Sequence, residues 1–270
     1  MNPLESLFAK LWKDYSTMNK QAGVICQALE NRGEKIVNDH VAFRTFNLSK
    51  VNIGVIAQPF LELGYREASG EGYLFKAKKL FAQHFEHPDP TQPKVFISEL
   101  KIEECSPVCQ KVIRDLIDQV PLNKVKGSDF LISGVPWKRV SWKMYEDLLK
   151  ESEYAAWMAA FGFRVNHFTV FYNTLKTFKS LVDLNTFIKS LGFALNAIGG
   201  EIKGSPEVYL EQSSTLAHPV EVEFQDGKHI IPACYYEFAR RFNQPSGKLF
   251  QGFLPESADK IFESTHYRPK

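Results

Sequence analysis

Two histidines carry the chemical interest of this chain of 270 residues. His40 lies in Ile36-Val37-Asn38-Asp39-His40-Val41-Ala42-Phe43-Arg44-Thr45-Phe46, and His167 in Arg164-Val165-Asn166-His167-Phe168-Thr169-Val170-Phe171. A neutral imidazole is a ready ligand for a divalent metal, and a guanidinium is a planar fork for a carboxylate. Both runs are rich in β-branched and aromatic residues with polar groups at alternate places, which is the pattern of a strand. On a strand, residues i, i+2 and i+4 share a face. His40, Ala42, Arg44 and Phe46 therefore look one way and Val41, Phe43 and Thr45 the other. His40 and Arg44 stand on one wall roughly 13 Å apart along the backbone, a gap that the length of an arginine largely closes.

The elements around each histidine repeat. After His40, Asn47-Leu48-Ser49 offers a helix cap, Val51 to Leu63 reads as a helix stopped by Gly64, and strands are expected at Tyr65–Ser69, Gly72–Lys78 and Lys94–Leu100. After His167, Leu175 to Leu191 reads as a helix ended by Gly192, followed by strands at Phe193–Ile198, Glu207–Gln212, Glu221–Gln225 and Cys234–Ala239. Asp39-His40 matches Asn166-His167, Leu61-Glu62-Leu63-Gly64-Tyr65 matches Lys189-Ser190-Leu191-Gly192-Phe193, and a late strand in each half carries one acid, Glu99 or Glu237. This is the signature of a duplicated β-α-β-β-β unit, and short strands with crossover helices predict an α+β fold. Two such units related by a pseudo-twofold axis can form a curled sheet with a cleft between the inner faces. The expected organisation is a single domain over 1–270, with units at 36–100 and 163–242, a helical insertion at 101–162 and a C-terminal extension at 243–270. Helical spacing is also expected over 3–31, Pro107–Val120 and Trp142–Phe161, with an irregular stretch at Gly127–Pro136.

Folding two equivalent units together brings His40 to His167, and Glu99 or Glu237 to both. Two imidazoles and one carboxylate on one face of a metal leave positions for substrate and O2, the arrangement of non-haem Fe(II) oxygenases. Zn, Ni, Mn and Co accept the same ligands, and spacing does not choose between the two acids. On such a face Arg44 is either a salt-bridge partner or the clamp for a substrate carboxylate. Ser213-Ser214-Thr215 is either a turn or a source of hydrogen bonds into the cleft. His84 and His87 in Ala82-Gln83-His84-Phe85-Glu86-His87-Pro88 read as part of a solvated turn, and His218, His229 and His266 lie in polar loops or near the end of the chain.

Composition narrows the alternatives. A net charge of +2 and a pI near 8.2 give no reason to expect nucleic acid or an anionic membrane as partner. The N-terminus lacks the apolar core of a signal peptide, no run suits a membrane helix, and the four cysteines form no Cys-x-x-Cys pair, so a cytoplasmic protein with reduced, buried thiols is expected. Phosphate-cradling glycine motifs and a Gly-x-Ser-x-Gly nucleophile turn are absent. The Trp142, Tyr145, Leu148, Leu149 stripe reads as a helix face on the core.

Asn38-Asp39-His40-Val41-Ala42-Phe43-Arg44-Thr45-Phe46, Arg164-Val165-Asn166-His167-Phe168-Thr169, Leu210-Glu211-Gln212-Ser213-Ser214-Thr215 and Cys234-Tyr235-Tyr236-Glu237-Phe238-Ala239-Arg240-Arg241 together resemble the 2-oxoadipate dioxygenase/decarboxylase family, itself similar to the vicinal-oxygen-chelate superfamily. The resemblance runs over about 36–265. It implies His40, His167 and Glu237 as metal ligands, favouring Glu237 over Glu99, and Arg44 as the group that binds a substrate carboxylate; from the residues themselves Glu99 stays the alternative ligand or an outer partner, and Ser213 and Ser214 the candidate substrate-binding hydroxyls. It implies Fe(II) as cofactor, and O2 and a 2-oxo acid as small-molecule partners. The implied reaction takes 2-oxoadipate to 2-hydroxyglutarate and CO2 in lysine breakdown. Phe250-Gln251-Gly252-Phe253-Leu254-Pro255 is the candidate counterpart of the family's C-terminal pocket residues. The competing readings are a redox-silent isomerase or lyase of glyoxalase type, for which Glu99 would be a fourth ligand, and a non-enzymatic small-molecule binding protein.

Overall fold

The computed structural model describes residues 2–265; the expectation for His266 lies outside them. Asn2 opens α1 (Pro3–Met18) with a capping box: its side chain accepts from the Glu5 N–H, and Glu5 reaches back to the Asn2 N–H. The helical run expected over 3–31 breaks at Asn19, which is buried with φ −116° and ψ 73°, and resumes as α2 (Lys20–Asn31). The break has partners. The Asn19 amide donates to the Tyr15 hydroxyl (2.7 Å), which donates to the Tyr235 carbonyl (2.5 Å).

The first unit is β1 (Asn38–Phe46), α3 (Ile53–Glu62), β2 (Arg66–Glu67), β3 (Tyr73–Phe75), β4 (Leu80–Glu86) and β5 (Lys94–Leu100). Asn52, rather than the Asn47–Ser49 run, caps α3. β4 corrects the expectation of a solvated turn at Ala82–Pro88: Leu80, Ala82 and His84 are buried at alternate places, and the Pro88–Pro93 loop begins only after the strand. The connecting region holds α4 (Pro107–Asp118), α5 (Trp142–Glu151) and α6 (Glu153–Phe161). Ser152 splits what reads as one helix over 142–161. Its backbone is extended, and its hydroxyl accepts from the Ala155 N–H to start α6.

The second unit is β6 (Val165–Phe171), α7 (Leu181–Ser190), β7 (Lys203–Ser205), β8 (Leu210–Ser214), β9 (Pro219–Phe224), β10 (Gly227–Pro232) and β11 (Tyr235–Arg241), followed by α8 (Pro255–Phe262). Residues 193–198 are not a strand, and only a Leu195–Thr215 bridge survives there. β9 and β10 form a separate hairpin.

The main sheet runs β2-β4-β5-β1-β6-β11-β8-β7, with β3 also on β4, in a mixed α+β fold. Its centre is the antiparallel pair β1–β6. Each of these strands has a parallel partner, β5 or β11, and each partner an antiparallel one, β4 or β8. The two halves are therefore related by an approximate twofold axis between β1 and β6, which sets the two histidine strands side by side. Helices cover the outer face. Trp12 of α1 meets Phe168 edge-on at 5.1 Å, and Phe60 of α3 packs on Phe43 at 5.6 Å. The β1–β6 register shifts between Asn38 and His40 and again beyond Ala42. Such irregularities re-aim side chains, and here they frame the functional histidine strand.

Candidate metal centre

Alternation on three neighbouring strands sends His40, His167 and Glu237 to the inner face, where they are 2%, 4% and 1% exposed. One ligand atom from each lies within 4.8 Å of the others. His167 Nε2 stands 3.3 Å and His40 Nε2 3.6 Å from the Glu237 carboxylate, and the two imidazoles meet edge to face at 5.5 Å.

A surrounding set of polar groups fixes the orientation of each ligand. His40 Nδ1 is 2.7 Å from Asp39 Oδ1, and Asp39 is gripped by both ends of the Arg241 fork (2.6 and 2.8 Å). Arg241 is anchored in turn by the carbonyls of Phe250 and Gly252. His167 Nδ1 is 3.0 Å from the Asn166 amide oxygen, and the Gln212 amide donates to Glu237 (2.6 Å). With each Nδ1–H given to a side-chain oxygen, the hydrogen-bond pattern assigns the lone pairs to Nε2; that of His40 accepts from the Thr169 hydroxyl (3.0 Å), and both Nε2 atoms lie beside the carboxylate.

The electrostatics suit a divalent cation. Burial pushes His40 below its ordinary pKa against the pull of Asp39, and pushes His167 well below it, with help from the charges of His40 and Arg44. Burial pushes Glu237 up to about 8, against the hydrogen bond from Gln212. Burial also acts to raise Asp39, but the Arg241 charge and hydrogen bonds outweigh it and hold that carboxyl well below the usual range. Two imidazoles kept neutral beside a carboxylate that only a nearby positive charge would ionise fully make a donor set for such an ion. The residues present fit it.

Phe253 roofs the centre. Its ring meets His40 edge-on at 4.9 Å, Phe96 at 4.8 Å and His84 at 5.3 Å, with the Arg241 guanidinium over its face at 5.2 Å. The turn after α8 closes the other end, where Ser264 hydrogen-bonds Ser214 and Thr265 accepts from Arg44.

Arg44 shares the inner face, with Nη1 on Glu153 (2.9 Å) and Nη2 on Thr265 (3.2 Å), and its guanidinium lies over the rings of Tyr154 and Trp157. Ser214 is also on this face. Ser213 is not: one residue out of phase, it donates to Asn185 of α7 at 2.7 Å on the outer side. Glu99 is out of phase in the same way. Its strand partner in β1 is Thr45, and it accepts from the Ile53 N–H at the start of α3 (3.0 Å), so it is neither a fourth ligand nor an outer partner of the centre. The position equivalent to Glu237 in the first unit is Phe96: His40 pairs with Lys94 and His167 with Tyr235, and each site residue follows two places on.

His84, buried on β4, bonds Tyr73 and Glu86 near the roof, where sequence reading expected a solvated turn; the alternation in Leu80–Glu86 is the signal that was available. His87 accepts from the Asp89 N–H, and His229 stacks on Trp142. Cys105, Cys109 and Glu151 also converge. That cluster already holds a cation, however, because Lys79 sits 3.5 Å from Glu151, whose oxygens accept from Ser106. Asp39, Asn166, Gln212, Arg241 and Tyr235 are the site-shaping residues that sequence reasoning gave no role, whereas Phe253 lies in the Phe250–Pro255 run expected to line a pocket.

A family model described as 2-oxoadipate dioxygenase/decarboxylase matches residues 4–248. A relative from Arabidopsis thaliana named 2-oxoadipate dioxygenase/decarboxylase, chloroplastic, is 35% identical over 257 residues, which cover 86% of this chain and 69% of that protein. Among solved structures, the hydroxyglutarate synthase of Oryza sativa in complex with 2-oxoadipate is 34% identical with a TM-score of 0.87, covering 96% of this chain and 91% of that one. A Shewanella frigidimarina protein named only as a presumed hydrolase is 52% identical with a TM-score of 0.89, covering 94% and 99%.

Proposed function

The chain belongs to the 2-oxoadipate dioxygenase/decarboxylase family, and from that membership we propose that it converts 2-oxoadipate and O2 to 2-hydroxyglutarate and CO2 with Fe(II) held by His40, His167 and Glu237. The convergence of two buried Nε2 atoms and one buried carboxylate is the observation that carries this reading. Three protein ligands leave positions for a chelating 2-oxo acid and for O2. Bound Fe(II) supplies Lewis acidity and the electrons that activate O2.

The chain's own residues do the rest. Asp39 and Asn166 hold the two imidazoles in the tautomer that presents Nε2. Gln212 fixes Glu237. Arg44, locked by Glu153 and Thr265, places positive charge on the wall beside His167 for a substrate carboxylate. Ser214 sits where it can hydrogen-bond an occupant, whereas Ser213 faces away. Phe253 keeps water from the reacting end. The absence of a carboxylate at Phe96 disfavours the four-ligand, redox-silent isomerase or lyase. None of the described helices is long and apolar enough to cross a membrane; a cytoplasmic location and a place in lysine breakdown complete the proposal.

The test is anaerobic reconstitution with Fe(II), then measurement of O2 uptake and CO2 release on adding 2-oxoadipate, with His167→Ala as control. Equal O2 and CO2, lost in the control, is the expected result. A metal-loaded protein that consumes no O2 with this or neighbouring 2-oxo acids would overturn the assignment. Under that outcome the isomerase or lyase reading would be tested next, by substrate loss without O2 uptake.

A further inference from the structure

Two donors on the wall of the centre have no hydrogen-bond partner among the described residues: the Tyr235 hydroxyl and Arg44 Nε. Three other buried tyrosine hydroxyls are paired. Tyr15 bonds Asn19 and the Tyr235 carbonyl, Tyr236 bonds the Cys26 thiol, and Tyr154 bonds Ser98. Tyr235 is as fully buried as these, so its unpaired hydroxyl is a cost the fold retains.

Its position gives that cost a purpose. Tyr235 pairs with His167 in the parallel β6–β11 ladder, and its ring stacks on the imidazole at 4.5 Å with 23° between planes. It therefore lies on the same inner face as Glu237, two residues before it. Arg44 stands on the same inner face from the other side of β6: His167 pairs with Tyr235 in β11 and with Ala42 in β1, and Arg44 follows Ala42 by two places. Each Nη of Arg44 already bonds one partner, Glu153 or Thr265, whereas Nε bonds none among the described residues, so its N–H is open to a new acceptor. A carboxylate seated between Nε–H and a phenol O–H receives two donors, one of them charged.

We infer that Tyr235 is a substrate-binding residue whose hydroxyl, together with Arg44 Nε, takes the carboxylate of the 2-oxo diacid remote from the metal. This rests on the function proposed above and deepens it: the pair makes the site selective for a dicarboxylate over a 2-oxo monocarboxylate of the same length. A site that leaves buried donors unpaired rejects the ligand lacking the acceptor more strongly than an apolar pocket rejects a misfit.

The test compares 2-oxoadipate with 2-oxohexanoate on the Fe(II)-loaded wild type and Tyr235→Phe, by anaerobic binding calorimetry and, separately, by O2 uptake. Phenylalanine keeps the ring on His167 and removes only the hydroxyl. The expected result is that the dissociation-constant ratio favouring the diacid falls roughly tenfold to hundredfold in the variant, while metal content stays at the wild-type level. An unchanged binding ratio in Tyr235→Phe would overturn the inference even where O2 uptake upholds the dioxygenase assignment. Loss of the binding ratio in a protein that consumes no O2 would uphold the inference and overturn the assignment of the reaction.

Discussion

The Asp39–Arg241 pair offers the sharpest test of how this centre is held. The pair is buried, bidentate and one bond removed from His40, so it serves folding and ligand orientation at once. Replacing Arg241 by Met strands a buried carboxylate, and replacing Asp39 by Asn strands a buried guanidinium. Either change costs roughly 3–5 kcal/mol of stability in the metal-free protein. The double variant Asp39→Asn/Arg241→Met removes both charges. What remains is the loss of two hydrogen bonds from Arg241 to the carbonyls of Phe250 and Gly252, about 1 kcal/mol each. The double variant should therefore unfold in urea at a higher midpoint than either single variant. Metal affinity should not recover with it. The amide introduced by Asp39→Asn would still accept from His40 Nδ1, but without negative charge and without the fork that fixes it. Loosening such an outer partner costs about tenfold to a hundredfold in metal affinity, read by Fe(II) titration against a competing chelator. Single-variant losses that simply add in the double variant would show that the pair is not coupled. A double variant that binds metal like wild type would refute the claim that it orients His40.

Two further predictions separate the centre from its surroundings. Glu99→Gln should cost about 1 kcal/mol of stability, because the carboxylate satisfies an N–H at the positive end of α3. Metal content and O2 uptake should stay near wild type, and loss of bound metal in this variant would return Glu99 to the centre. Lys203 is buried on β7 with its ammonium on the carbonyls of Asn196 and Gly200, and burial lowers its pKa from 10.5 to about 8, against the opposing pull of Glu237. Between those two values the unfolded chain holds a proton that the folded chain has released, so stability rises with pH across that window, by up to about 3 kcal/mol. Urea midpoints at pH 8 and pH 10 should thus climb more in wild type than in Lys203→Met. Parallel curves would show that the lysine is not desolvated as its surroundings demand.

How far the centre could be read from the sequence depended on strand phase. His40 and His167 were legible because the whole Asp/Asn-His, helix, glycine pattern repeats, and the antiparallel β1–β6 pair then makes the histidines meet. The choice between Glu99 and Glu237 was not legible from the residues, because it turns on strand phase: Phe96 is the position equivalent to Glu237, and Glu99 stands three places beyond it. A strand residue displaced by an odd number of places faces the opposite side, which sent Glu99 to cap α3 and Ser213 to Asn185. β4 was hidden by the proline-rich loop that follows it, and the breaks at Asn19 and Ser152 by apolar spacing that continues straight through them. Arg241 and Tyr235 lie in a run that carries the resemblance, but nothing local assigns either of them a role. Their roles arise from partners on other strands, Asp39 in one case and His167 in the other. The resulting asymmetry follows from the duplication. Each unit contributes a histidine at the twofold, but the next equivalent pair diverges to Phe96 and Glu237. A symmetric pair of carboxylates would have surrounded a metal with four protein ligands. Phenylalanine on one side lets Phe253 pack over that half and leaves the ligands gathered on the other, with Tyr235 and Arg44 along the same wall. The open coordination positions that the proposed O2-dependent reaction needs thus come from a place where the two halves of the repeat stop matching.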